Sequence, residues 1–193
     1  MQTITTTVYE YNELSDEAKQ TALEKQYNIN IDGYNWWDSD FCDFKEIAAL
    51  IGITVKDIYF SGFCSQGDGA CFTGNYEYKK GALKSVKEYA PLDAELHEIA
   101  LNLQNLQRKY FYQLSANVEH HGHYYHELCT RIQVYKDGDY VNDEAENGIT
   151  EFLRNFMQWI YLQLNKQYDY LTLEEAIVET LNEYQFTEDG EMI

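Results

Sequence analysis

At 193 residues, with 45% hydrophobic and 16% aromatic content, the chain has enough apolar mass for a cored domain and lacks the composition of disorder. Its 33 acidic against 14 basic residues, a formal net of −19, disfavour phosphate backbones and anionic membranes as direct partners. With one proline there is little room for a linker, and the expectation is a single compact domain over 1–193 with a short acidic C-terminal tail.

In chain order, "QTITTTVYEY" alternates Ile4, Thr6 and Val8 against Thr5, Thr7 and Tyr9, as a β-strand does. "ELSDEAKQTALEKQ" predicts a helix capped by Ser15, with Asp16 and Glu17 in its first turn. Trp37, Phe41, Phe44, Ile47 or Ala48, and Ile51 recur at helical spacing, and Gly52 supplies a stop. "IYFSGFCSQGDGACFTGNYEY" then reads as a hairpin. Pairing Gly62 with Phe72, Phe60 with Gly74 and Ile58 with Tyr76 sets each glycine under an aromatic ring and leaves residues 65–69 as the loop. In that register Cys71 faces Phe63 and Cys64 points away, so a Cys64–Cys71 disulfide is disfavoured.

Leu92, Leu96, Ile99, Leu103 and Leu106 form a helical stripe. A second hairpin follows in "YFYQLSANVEHHGHYYHELCTRIQVY". Pairing His120 with Tyr124, Val118 with His126, Ala116 with Leu128 and Tyr112 with Ile132 keeps one face mostly apolar around a His121–Gly122–His123 loop. Ile149, Leu153, Phe156, Ile160 and Leu164 predict a further helix. Thr172 with Glu175 suggests a capping box for the next, and "QFTEDGEMI" suits a short edge strand. The fold class is therefore α+β: an antiparallel sheet of two hairpins, about 57–78 and 110–135, plus an N-terminal strand, packed against amphipathic helices.

Chemistry-bearing motifs are few. "SQGDGA" leads into a strand and lacks the lysine of a phosphate-binding loop, so it reads first as a turn and second as an epitope centred on Ser65, Gln66 and Asp68. His120 and His126, diagonally adjacent in the predicted register, could hold a metal with His123, although the spacing matches no specific ligand pattern. Cys42, Cys64, Cys71 and Cys129 show neither ligand spacing nor a nucleophile signature, and with no secretory signal in view they are expected to be reduced. No catalytic residue and no cofactor is expected.

What remains is surface. From residue 137 onward fourteen acids face only Arg154 and Lys166. They include Asp137, Asp139, Asp143, Glu144, Glu146, Glu174, Glu175, Glu179 and Glu183. Combined with eighteen tyrosines and three tryptophans, they suit docking on a cationic partner.

"ELSDEAK", "IYFSGFCSQGDGACFTGNYEYKKGA", "YAPLDAELHEIA", "GHYYHE" and "FTEDG" resemble a family of small phage and prophage proteins, many labelled antitoxin of a toxin–antitoxin stability system. The resemblance spans nearly the whole chain. It departs at Cys64, where the family carries tryptophan, and it brings no catalytic residue. It implies a cytoplasmic protein of a bacterial host: an acidic, non-enzymatic inhibitor or antitoxin-like binder, of which anti-CRISPR nucleic-acid mimicry is one form. Its partner would be a basic effector or toxin that handles nucleic acid. The alternatives are a metal-dependent enzyme centred on His120 and His126, and a self-associating structural phage protein.

Overall fold

A computed structural model describes residues 7–33 and 35–193. Its chain is α+β. Among the described residues it has six α-helices, a five-stranded antiparallel sheet and a two-stranded sheet. Two compact units emerge, one from Met1–Trp37 with Asn165–Ile193, the other from Asp38–Leu164.

In the first unit, β1 (Tyr9–Glu10) pairs antiparallel with β7 (Gln185–Phe186). The strand expected over residues 4–9 lies partly outside the described residues, and the one found here, which begins at Tyr9, belongs to its own two-stranded sheet. Ser15 caps α1 (Asp16–Lys25) as expected, its hydroxyl accepting from the Ala18 amide at 3.2 Å. Tyr11, Leu14, Ala18, Ala22, Ile177, Leu181 and Phe186 form this unit's core. The chain end expected as a tail is tied down. Phe186 is fully buried, the Ile193 amide donates to the Gln185 carbonyl at 2.9 Å, and Lys25 pairs with Glu191. The expected Thr172 cap is corrected: α6 (Glu174–Leu181) starts after Leu173, and the Thr172 hydroxyl instead donates back to the Tyr168 carbonyl at 2.9 Å, closing the helix before it.

The second unit is a two-layer packing. The sheet runs β2-β3-β4-β5-β6, made of Ile53–Ser61, Gly69–Glu77, Leu114–His120, Thr130–Lys136 and Asp139–Tyr140. The helices are α2 (Asp38–Ile51), α3 (Ala82–Tyr89), α4 (Ala94–Lys109) and α5 (Asp143–Leu171), of which residues through Leu164 belong to this unit. α3 was not foreseen. Aromatic rings join the layers: Phe72 meets Phe156 edge-on at 6.1 Å and Tyr76 meets Phe152 at 5.6 Å, while within the helical layer Phe44 of α2 meets Trp159 of α5 at 5.4 Å. Asp93 serves twice, capping α4 through the Leu96 amide at 2.9 Å and accepting from the Trp159 indole at 2.8 Å. Leu92, expected on the buried stripe, is 96% exposed because α4 starts only after Asp93.

Both predicted hairpins exist, each in a different register. Phe72 pairs with Ile58 rather than Gly62, and a bulge between Val55 and Asp57 brings Gly74 opposite Val55 and Tyr76 opposite Ile53. Gly74 therefore lies under no ring. A Cβ there would meet the Thr54 carbonyl oxygen at 2.0 Å, so close strand approach explains the glycine. Cys71 faces Tyr59, not Phe63, and both Cys64 and Cys71 are free thiols. In the second hairpin His120 pairs with Thr130 and Val118 with Ile132, leaving residues 121–129 as a long loop with a 3₁₀ turn at Glu127–Cys129. A third hairpin, β5–β6, turns tightly at Asp137 and Gly138, which both take positive φ (52° and 90°).

Candidate functional site

The glycine loop and the histidine loop meet at one end of the five-stranded sheet. In the first, one oxygen of Asp68 accepts from the amides of Cys64 at 3.0 Å and Ser65 at 2.7 Å. The N–H groups that would cradle a phosphate are thus held by the loop's own carboxylate, which makes it a turn. Ser65 and Gln66 are exposed, and Asp68 is half-buried. Tyr161 donates to the Gly62 carbonyl at 3.2 Å and stacks on Phe63 at 5.5 Å; burial, then Asp68 and Cys64, raise its pKa. Gly67 lies under the Tyr124 ring and Gly69 against His126, where a Cβ would come within 3.4 Å and 2.3 Å respectively. The two loops are packed together.

The histidines are used locally, and the expected diagonal pair does not form. The ring Nε2 of His120 donates to the Tyr124 carbonyl at 3.0 Å, while the ring packs on Tyr59 and Tyr125. His126 is not on a strand. It caps the 3₁₀ turn, its Nδ1 accepting from the Leu128 amide at 3.1 Å, and its Nε2 lies 3.6 Å from the Cys129 sulfur. Because Nδ1 accepts, a neutral ring carries its proton on Nε2, so it is poorly set to take one from the thiol. Cys129 is thus a neighbour of His126. His123 is exposed, against Tyr124. Among the described residues no group of three or more His, Cys, Asp or Glu side chains is placed to hold a metal.

At the other end of the sheet, three segments converge: the turn from α4 into β4, the β5–β6 hairpin and the first turn of α5. Phe111 and Tyr112 follow α4 with φ of 57° and 63°, left-handed values that cost strain in residues with a Cβ. Tyr112 packs on Tyr78 at 4.7 Å, whereas Phe111 remains 76% exposed. The Lys136 ammonium lies 5.7 Å over the Phe111 ring, and Asp139 sits opposite Lys136 in the hairpin register. Tyr140, 81% exposed, packs on Tyr135 at 5.6 Å.

Asn142 caps the first turn of α5 through the Ala145 amide at 3.1 Å, and Asp143, Glu144 and Glu146 stand in that turn, where the helix dipole favours carboxylates. Glu144 is the engaged one. It binds Lys109 and accepts from the Tyr110 hydroxyl at 3.2 Å, and the Lys109 contact holds its carboxyl below the usual range.

Of the acids singled out in the sequence, this corner gathers Asp137, Asp139, Asp143, Glu144 and Glu146. Ser65, Gln66 and Asp68 lie at the far end of the sheet, and Glu174, Glu175, Glu179 and Glu183 lie on or just past α6 in the other unit. The anticipated acidic set is thus divided between the two units. Phe111, Tyr112, Tyr135, Lys136 and Tyr140 were missed. The signal available was Asp137–Gly138 between alternating aromatics, a strong short-range hairpin cue that brings Tyr135 and Tyr140 together.

No helix of the described residues is long and apolar enough to cross a membrane. No curated protein and no solved structure matches the chain. Residues 36–174, well over half the sequence, match the family described as "Domain of unknown function (DUF8835)", and the protein belongs to that family.

Proposed function

We propose that the protein is a non-enzymatic binding protein that docks its acidic, aromatic corner on a basic partner that handles nucleic acid. The observation carrying this reading is the exposure of Phe111 and Tyr140, 76% and 81%, among Asp137, Asp139, Asp143 and Glu144. Large rings held in water form contact area when a partner covers them. The carboxylates beside them steer cationic surfaces in and repel competing polyanions. The resemblance to phage and prophage proteins supports an inhibitory role against a host effector or toxin, in the cytoplasm of a bacterial host.

Affinity capture from such a host, with and without nuclease, tests the reading. The expected result is a basic protein retained after nuclease, released by high salt, and lost when Asp137→Asn, Asp139→Asn and Tyr140→Ala are combined. Undiminished capture by that triple variant would reject the corner as the docking surface.

A further inference from the structure

Lys136 and Asp139 face each other across a two-residue turn, yet among the described residues neither takes part in an ion pair. The Lys136 ammonium instead rests 5.7 Å above the centre of the exposed Phe111 ring, within cation–π range. A second lysine repeats the theme: Lys109 binds Glu144 while lying 5.8 Å from the centre of the Tyr110 ring. At both places a cation of the chain itself occupies an aromatic surface beside a carboxylate.

We infer that this corner takes an arginine side chain of the partner, stacked on Phe111 and forked onto Asp139, with Lys136 as the internal occupant that it displaces. The assignment rests on the docking function proposed above and names the group that the corner recognises. A guanidinium suits the site better than an ammonium on two counts. Its plane stacks flat on a ring, and its paired N–H groups match both oxygens of one carboxylate. It is also the more weakly hydrated cation, so it gives up less on leaving water. A partner with an arginine-bearing loop or segment complements the surface in both charge and shape. Such residues line proteins that grip phosphate backbones.

Two peptides of equal length and charge, one with arginine and one with lysine spaced by glycine, test this by titration at low salt. The arginine peptide should bind about tenfold more tightly, and Phe111→Ala or Asp139→Asn should erase that preference. Lys136→Met should tighten arginine binding more than Lys56→Met, which removes the same charge from β2. Equal affinity for both peptides, preference that survives Phe111→Ala, or identical effects of the two lysine variants would overturn the arginine assignment while leaving charge-driven docking in place. If neither peptide binds, the docking function fails and the assignment with it. Phe111 is mostly exposed, so its variant should fold, and a thermal melt of each variant checks this.

Discussion

The side-chain amide of Gln107 donates to the Tyr76 hydroxyl and to the Leu114 carbonyl, each at 2.8 Å, and its oxygen accepts from the Leu114 amide at 3.2 Å. Gln107 and Tyr76 are fully buried, so this clamp joining α4, β3 and the start of β4 has no water to replace it. Gln107→Leu should cost about 2–4 kcal/mol, because it strands several buried polar groups at once. Chemical denaturation measures the loss. Adding Tyr76→Phe should recover part of it, since the phenol no longer needs a partner.

Gly52 ends α2 at φ 91° and turns the chain into β2. A Cβ there would lie 2.0 Å from the Glu77 carbonyl oxygen, a backbone atom held in place because the Glu77 amide donates to the Gly52 carbonyl at 2.9 Å. Gly52→Ala should therefore destabilise by at least about 2 kcal/mol, through both the overlap and the left-handed backbone. A melting temperature within a degree of the parent would contradict this.

Burial pushes the Cys71 thiol up to about 12, with Cys129 and Glu127 adding to the rise. The folded thiol stays protonated where an unfolded one ionises, so the folded state holds the extra proton. Its stabilising effect is present below the ordinary thiol pKa and is lost as pH climbs toward about 12. At mildly alkaline pH, iodoacetamide should label the exposed Cys42 and Cys64 and spare Cys71 until denaturant is added. Mass spectrometry of the peptides reads this directly, and prompt labelling of Cys71 in the native protein would refute it.

Phe111 and Tyr112 carry the same backbone strain with different compensation. Phe111→Gly should raise stability by about 0.5–1 kcal/mol, since glycine accepts positive φ and an exposed ring has little to lose. Tyr112→Gly should gain less or lose, because its ring packs on Tyr78 at 4.7 Å. Paired melts decide, and equal shifts would show that strain is not what separates them.

The helices were legible where apolar side chains recur and a capper precedes them: Ser15 opens α1, and Ile149, Leu153, Phe156, Ile160 and Leu164 are all buried. The hairpins were legible as hairpins but not in register. Alternation has a period of two, so it constrains which face a residue takes and says little about sliding by an even number. In the second hairpin Val118 moved from His126 to Ile132, such an even slide, and the apolar face survived it. The slide followed from the loop: residues 121–129 fold into their own turn, with His126 as its cap, and consume residues that alternation alone assigns to strand. The bulge near Lys56 was likewise silent, since it answers to how closely Gly74 approaches Thr54. The corner proposed for docking was half visible: its acids stood out in composition, whereas Phe111 is exposed on a left-handed backbone that no residue pattern announces.

β2 is an outer strand of nine residues, rich in the β-branched and aromatic types that pair readily with a neighbouring molecule. Its register break at Lys56, with that ammonium projecting into solvent, interrupts the flat run of amides and carbonyls that fibril growth copies. Concentrated protein is thereby guarded against stacking edge to edge along this rim, and variants that remove the break, such as deletion of Lys56, would be the first to form thioflavin-positive aggregates.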